Sequence, residues 1–163
     1  IIYTLRLRLK NRVLYDSFLL YRKAESDMET TARLVPEEEL DHEGRIYRLL
    51  CNLMQNEKIY KNADLNRDTL SKQLGTNAVY ITNAVRKYAD GATVNEFINS
   101  YRLRHAASML TDNPDMNINE VEYISGFNSR TTFNRCFRTF FGMSPSEYKA
   151  ISKEKKKTQT GGT

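Results

Sequence analysis

The most constraining feature of the sequence is a pattern that occurs twice, with the two copies offset by 51 residues. In each copy a helical stretch ends near a glycine, a second helical stretch follows, and another glycine precedes a third helix. These glycines are Gly75 and Gly91 in the first copy and Gly126 and Gly142 in the second. Glycine adopts the left-handed conformation that a sharp reversal after a helix needs. Two helices joined by such a turn are typical of a helix-turn-helix, whose second helix fits the DNA major groove.

Helix-start signals recur along the same region. Asn66 precedes a helical stretch that ends at Gly75, and Thr93, Asn117 and Ser144 each lie three residues before a glutamate, the spacing of a capping box. They predict about seven helices and no strands, including a long helix from Thr93 to about Leu110. The fold class is therefore all-α, with two helix-turn-helix subdomains joined by a long linker helix and preceded by an N-terminal helix.

Apolar positions are expected to form the core of these helices. A helix over about residues 39–56 is predicted to bury Ile46, Leu49, Leu50, Leu53 and Met54. The repeat itself pairs Leu70 with Val121, Val85 with Cys136, and Phe97 with Tyr148, whereas Ile81 matches Phe133 only within one residue.

Composition divides the chain into four segments. Residues 1–34 are predicted to be one helix, and residues 35–42 an acidic linker. Residues 43–152 form the repeated helical domain, with helix-turn-helix units at about 66–91 and 117–142. Residues 153–163 are predicted to be a disordered basic tail, because four lysines precede a stretch without apolar side chains.

The N-terminal segment has three interpretations that stay open. Leu7, Leu14, Tyr21 and Met28 recur every seven residues, which fits an ordinary helix or a helix that pairs two copies as a homodimer. The basic residues 6–12 also fit the cytoplasmic flank of a membrane span upstream. Since the chain begins at Ile1 rather than Met, we expect a fragment of a longer protein, and the sequence leaves open whether a sensor or membrane segment precedes Ile1.

Net charge favours an anionic partner. The 163 residues carry a formal charge of +5 and a pI of about 9.2. No run of 18 apolar residues provides a complete membrane span. The two cysteines, Cys51 and Cys136, lie too far apart in sequence for a zinc motif, and His42 and His105 stand alone. We therefore expect no catalytic residues, no metal site, no cofactor and no enzymatic activity.

Residues 118–138, which read INEVEYISGFNSRTTFNRCFR, and residues 141–148, which read FGMSPSEY, carry a family resemblance. They closely resemble the C-terminal signature of the AraC/XylS family of bacterial transcription regulators. The Tyr101-Arg102-Leu103-Arg104 segment also fits, and the resemblance covers about residues 43–150. It implies two helix-turn-helix units, a linker helix, sequence-specific binding to double-stranded DNA and, usually, activation of transcription with RNA polymerase as a partner.

The second recognition helix is predicted over about residues 129–141. Phe133, Cys136, Phe137 and Phe140 recur at three- and four-residue spacing and should face the core. The opposite face carries side chains that hydrogen-bond base edges or phosphates. By position in the family pattern, the base readers are Arg130, Thr131, Asn134 and Arg135, and the phosphate contact is Arg138.

The first recognition helix is predicted over about residues 77–88. Its expected core face comprises Tyr80, Ile81, Ala84, Val85 and Tyr88. Its expected base readers are Val79, Thr82 and Asn83. Its expected phosphate contacts are Asn77, Arg86 and Lys87, with Arg102 on the linker helix. The family often has Arg or Gln in this helix, and their absence here leaves open how far it contributes to specificity.

These features favour a bacterial transcription regulator over a helical protein-interaction module, because the exposed faces of the second helices are polar and basic. We expect the regulator to act in the cytoplasm, as a soluble protein, as the cytoplasmic part of a membrane-tethered protein, or as the output of a sensor-kinase fusion.

Overall fold

The computed structural model describes residues 40–160, and within them it contains helices and no strand. The predicted all-α class is confirmed. The predicted N-terminal helix and most of the acidic linker lie outside the described residues, as do residues 161–163. Residues 40–160 form seven α-helices: α1 (His42–Asn52), α2 (Arg67–Leu74), α3 (Ala78–Tyr88), α4 (Val94–Asp112), α5 (Ile118–Ile124), α6 (Arg130–Phe141) and α7 (Pro145–Thr160). A π-helical turn (Leu53–Glu57) and a 3-10 turn (Ile59–Lys61) follow α1.

The described residues form two compact units that divide between Arg102 and Leu103, within α4. The first unit, residues 40–102, contains the α2–α3 pair, and the second unit, residues 103–160, contains the α5–α6 pair. Each unit has its own apolar core, and α4 contributes to both. It supplies Val94, Phe97, Ile98 and Tyr101 to the first core and Leu103, Ala106, Ala107 and Leu110 to the second. Helix α4 is the predicted linker helix, and it extends to Asp112.

The predicted helix starts are confirmed by their hydrogen bonds. The carboxylate of Glu96 accepts from the backbone N–H and the hydroxyl of Thr93, both at 2.8 Å. Glu147 accepts in the same way from the N–H and hydroxyl of Ser144, at 2.7 and 2.8 Å. These bonds hold the pKa of both glutamates below the usual value, because they favour the charged carboxylate. Each helix therefore begins where its sequence signal lies.

Two expectations about the outer helices are wrong. Leu49 is 51% exposed, whereas its neighbour Leu50 is fully buried, because consecutive helical residues point about 100° apart. The chain also does not become disordered at Lys153, since α7 continues to Thr160. Lys153 donates to the Asp115 carboxylate at 2.8 Å, and Lys156 donates to the Asp112 carbonyl at 3.0 Å. These contacts fasten the basic part of α7 to the last residue of α4 and to the loop that follows it.

Candidate nucleic-acid interface

Helix α6 is positioned by an aromatic core on one face. Phe133 and Phe137 are fully buried and 5.6 Å apart between ring centroids. The ring centroid of Phe137 also lies 4.4 Å from that of Phe141 and 5.5 Å from that of Tyr148 in α7. Gly142 ends the helix with φ +69°. Cys136 and Phe140, also predicted to face the core, are half-buried at its edge.

The opposite face of α6 is exposed and polar. All five of its predicted DNA contacts are exposed: Arg130, Thr131, Asn134, Arg135 and Arg138. The Arg130 Nε lies 3.4 Å from a carboxylate oxygen of Glu122, whose side chain is only 13% exposed. The anchored guanidinium is therefore partly pre-positioned at the N-terminal end of the helix. The face offers bidentate donors, an amide and a hydroxyl, which are groups that read base edges.

Helix α3 shows the same division into two faces. Ile81, Ala84 and Val85 are fully buried, as predicted. Val79 is 60% exposed and Asn83 is exposed. Thr82 is half-buried, and its hydroxyl donates to the Ala78 carbonyl at 3.0 Å, which leaves the hydroxyl oxygen as an acceptor. Asn77 is the N-cap of the helix, since its side chain accepts from the Val79 N–H at 2.9 Å.

Tyr80 and Tyr88, predicted to face the core, are instead 44% and 38% exposed. They lie on the face of α3 that packs against α1. The Tyr80 ring packs edge-on against the His42 ring, with 4.9 Å between the ring centroids. The Tyr88 ring stacks on the Tyr47 ring, with 5.6 Å between the centroids. Helix α1 covers one side of each ring, and the Tyr88 hydroxyl donates to the Asp41 carboxylate. The aromatic periodicity predicted core positions for Tyr80 and Tyr88, but both rings lie at the rim of the contact between α1 and α3.

Asp41 ties the start of α1 to the end of α3. Its carboxylate accepts from the Gly44 N–H at 2.7 Å, from the Tyr88 hydroxyl at 2.8 Å and from the Lys87 ammonium. The bonds from Lys87 and Tyr88 are the main cause that lowers the pKa of Asp41 to about 2. Lys87 therefore already has an acidic partner within the first unit. Sequence analysis placed Asp41 only in the acidic linker, because its partners lie 46 and 47 residues further along the chain.

Arg102 is not placed to contact phosphate, and that prediction is wrong. Its side chain is buried, with 8% of the residue exposed. The guanidinium donates to the carbonyls of Tyr60 and Asn62, each at 2.8 Å, and to the Asn99 side chain at 3.3 Å. Burial lowers the pKa of Arg102 from its usual value. Arg102 holds the segment after α1 against α4, and it is a structural residue of the first unit.

The two recognition helices correspond at an offset of 52 residues, not the 51 of the surrounding repeat. Fully buried Ile81 and Val85 match fully buried Phe133 and Phe137 at this offset. The pairing of Val85 with Cys136, predicted from the repeat, is therefore one residue out of register. The reason is that the turn between α5 and α6 is two residues longer than the turn between α2 and α3, whereas α5 is one residue shorter than α2, so the net shift is one residue.

The corrected register aligns the exposed faces. The pairs at the offset of 52 are Val79 with Thr131, Thr82 with Asn134, Asn83 with Arg135, and Arg86 with Arg138. Each pair combines two residues that were predicted independently as DNA contacts. Both helices thus present their candidate contacts at matching positions relative to their buried residues.

Comparison with known proteins identifies the family of the repeated helices. A family model described as a helix-turn-helix domain matches residues 70–151, which is just over half of the chain. The chain belongs to the AraC-type helix-turn-helix family. Members of this family are DNA-binding transcription regulators. Among residues 40–160, no helix is both long and apolar enough to cross a membrane.

Three similar proteins give the AraC-type chain its context. It is 29% identical to histidine kinase P4 of Formosa agariphila over 145 residues, which are 88% of this chain but 10% of that protein. It is 26% identical to the probable transcription factor PqrA of Proteus vulgaris, over 56% of this chain and 74% of PqrA. It also shares its fold with the C-terminal domain of AraT, a response regulator from Geobacillus stearothermophilus. That similarity has a TM-score of 0.60 at 20% identity, over 68% of this chain and 88% of that one. The chain thus spans about a tenth of the first relative's length.

Proposed function

We propose that this chain binds double-stranded DNA sequence-specifically, with α3 and α6 entering successive segments of the major groove. The observation that carries the proposal is the matched polar face of the two helices, each backed by a buried apolar face. A side chain reads a base only when its helix is held rigidly, and the Phe133–Phe137–Tyr148 cluster holds α6 in this way. Successive groove segments lie about 34 Å apart, so one chain would read two adjacent sites.

The two helices are proposed to contribute unequally to the discrimination between DNA sequences. Helix α6 presents Arg130 and Arg135, which bond guanine bidentately, and Asn134, which does the same to adenine. Helix α3 presents Val79, which suits a thymine methyl group, and Asn83, which suits adenine. The remaining base-reading proposals are Thr82 and Thr131. We expect α6 to supply most of the discrimination, because charge-assisted bidentate bonds are the stronger ones.

Phosphate contacts are proposed at both helices. Arg86 and Arg138 occupy equivalent exposed positions, and Asn77 lies at the start of α3. Lys87 is proposed as a weaker contact, because a phosphate would have to compete with the Asp41 carboxylate. These contacts position the chain and make binding dependent on salt, without carrying sequence information.

The setting of the chain is a further part of the proposal. We propose that it is the cytoplasmic, non-enzymatic output part of a longer regulator that activates transcription together with RNA polymerase. The similarity to a protein named as a histidine kinase supports an upstream sensor, membrane-tethered or soluble. The N-terminal segment is proposed to pair two copies or to transmit the signal.

Selection of bound sequences from a random duplex pool tests the proposal. The whole chain is compared with Arg135→Ala and with the matched control Arg138→Ala on the same helix. We expect the whole chain to enrich a two-part motif whose parts lie about one helical turn apart. Arg135→Ala should lose preference at one position in one part, at a cost of about 1–3 kcal/mol, whereas Arg138→Ala should weaken binding equally on all sequences.

Either of two results would contradict the proposal. If the whole chain enriched no sequence, the proposal of sequence-specific binding would be wrong, and a protein-interaction module would be favoured. Enrichment of a motif that Arg135→Ala leaves unchanged would remove α6 as the reading helix.

A further inference from the structure

An open depression lies beside the base-reading face of α6, within the second unit. It has a volume of about 490 Å³, and α5, α6, α7 and the loop before α5 line it. Asn134 lines this depression and also the exposed surface that Arg135 and Arg138 share. The depression is therefore continuous with the face proposed to read bases. We call it the α6–α7 depression and define it by Asn119, Arg130, Asn134, Ser146 and Lys149.

Two cations from different helices line the depression. Arg130 enters from α6, with its Nε held by Glu122. Lys149 enters from α7 and is half-buried, with its ammonium donating to the Met116 carbonyl at 2.6 Å. An ammonium has three donors, so this bond fixes the group while two further donors stay usable. Asn119, Asn134 and Ser146 add amide and hydroxyl donors around the cations.

One acidic side chain also lines the depression, but its charge is balanced from outside. Asp115 accepts from Lys153 at 2.8 Å, and Lys153 is the main reason why the pKa of Asp115 lies below its usual value. The Asp115 side chain is 94% exposed and points to solvent, away from a buried environment. With Arg130 facing Glu122 and Asp115 facing Lys153, the charge that remains in the depression is that of Lys149, which also helps to lower the pKa of Asp115.

The first unit has different chemistry at the corresponding positions. At the offset of 52, Ala78 takes the place of Arg130, and at the offset of 51, Ile98 takes the place of Lys149. Ile98 is a core residue with 1% exposure. Asp68 takes the place of Asn119, so a negative charge replaces a neutral donor. The cationic depression is thus particular to the second unit, although the helices around it repeat.

We propose that the α6–α7 depression holds a phosphate of the DNA strand that borders the bases read by α6, with Lys149 as its principal cation. The inference rests on the proposed DNA binding and adds a residue that sequence analysis did not single out. A phosphodiester accepts several hydrogen bonds at once, and Lys149, Asn119 and Ser146 provide donors that the proposed base contacts do not use. Contact here fixes the register of α6 in the groove, so the second unit carries more of the salt-dependent affinity than the first.

The test measures affinity by fluorescence anisotropy between 50 and 200 mM KCl with the full 163-residue chain. Each protein is titrated with a duplex carrying the selected motif and with an unrelated duplex of equal length. Lys149→Gln should reduce the slope of log affinity against log salt by about 0.9, equally on both duplexes. The affinity ratio between the unsubstituted chain and Lys149→Gln should accordingly fall about threefold to fourfold as KCl rises from 50 to 200 mM. Lys149→Arg should restore the slope.

A control variant separates a local contact from general charge. Lys155 lies on α7 six residues after Lys149, which places it about 120° away around the helix. Lys155→Gln removes the same charge and should leave the slope nearly unchanged. An equal loss of slope in Lys155→Gln, or an unchanged slope in Lys149→Gln, overturns the inference.

A second variant guards against a folding defect caused by loss of the Met116 contact. Asn119→Asp introduces the residue of the first unit at the start of α5, where an acidic side chain favours the helix. It should keep thermal stability and still weaken DNA binding, more at 50 than at 200 mM KCl. Unchanged binding would overturn the inference. If the unsubstituted chain fails to distinguish the two duplexes, the proposed function itself fails.

Discussion

Arg102→Ala is the substitution that most sharply separates a structural role from a DNA contact. The guanidinium makes two hydrogen bonds of 2.8 Å to the carbonyls of Tyr60 and Asn62. Hydrogen bonds to a charged group contribute about 1.5–3 kcal/mol each. Since water can enter part of the space left by the side chain, we expect the free energy of unfolding of the first unit to fall by about 2–4 kcal/mol.

The assay is urea denaturation followed by circular dichroism, with salt-dependent DNA binding measured on the same protein. For a small unit with a urea dependence of about 1–2 kcal/mol per molar, the midpoint should fall by about 1 M or more. Arg102→Lys is the matched control. It keeps the charge, but one ammonium cannot reproduce the fork across both carbonyls, so it should recover only part of the stability.

A phosphate contact would give the opposite pattern. Arg102→Ala would then keep its midpoint and lose about one unit of salt slope, and Arg102→Lys would behave like the unsubstituted chain. Observation of that pattern would refute the structural role derived from the burial of Arg102.

Two further outcomes follow from local geometry. The pKa of Asp41 is lowered to about 2 from 3.8, so its bonds stabilise the fold above about pH 4, and that stability is lost as pH falls towards 2. The urea midpoint of the unsubstituted chain should therefore exceed that of Asp41→Asn at pH 6, with the gap closing between pH 4 and 2; a gap independent of pH would contradict this linkage. Gly75 has φ +62°, and a Cβ there would meet no atom within 4 Å, so Gly75→Ala should cost only the backbone penalty of about 1–2 kcal/mol. Gly75→Asn should cost less, and denaturation of the two variants checks the order.

The features that sequence analysis predicted correctly depend on short separations along the chain. Each capping pair spans three residues, so the start of α4 at Thr93 and that of α7 at Ser144 are visible locally. The buried and exposed faces of α6 follow from its periodicity, because Phe133 and Phe137 lie one turn apart. The assignment of residues to these elements needed no knowledge of tertiary contacts.

The register between the repeats was only partly predictable. Glycines and caps keep the offset of 51, and Val85 was paired with Cys136 at that offset although Ile81 matched Phe133 only within one residue. The turn before α6 is two residues longer than the turn before α3 and the helix before it is one residue shorter, so the buried pairs shift by one residue. Packing decides which residue fills the core, so the correspondence of Val85 with Phe137 emerges only from burial.

The sequence by itself determined the helices, their caps, the basic face of α6 and the membership of the AraC-type family. Tertiary structure decided the partners of individual charged and aromatic side chains. Arg102 meets carbonyls about 40 residues earlier in the chain, and Lys87 meets Asp41 46 residues earlier. Local patterns show that such side chains are charged or apolar, but the group that lies opposite them depends on how distant helices pack. Burial of a cation is favourable only where that packing supplies acceptors, and this is why the role of Arg102 could not be read from its neighbours.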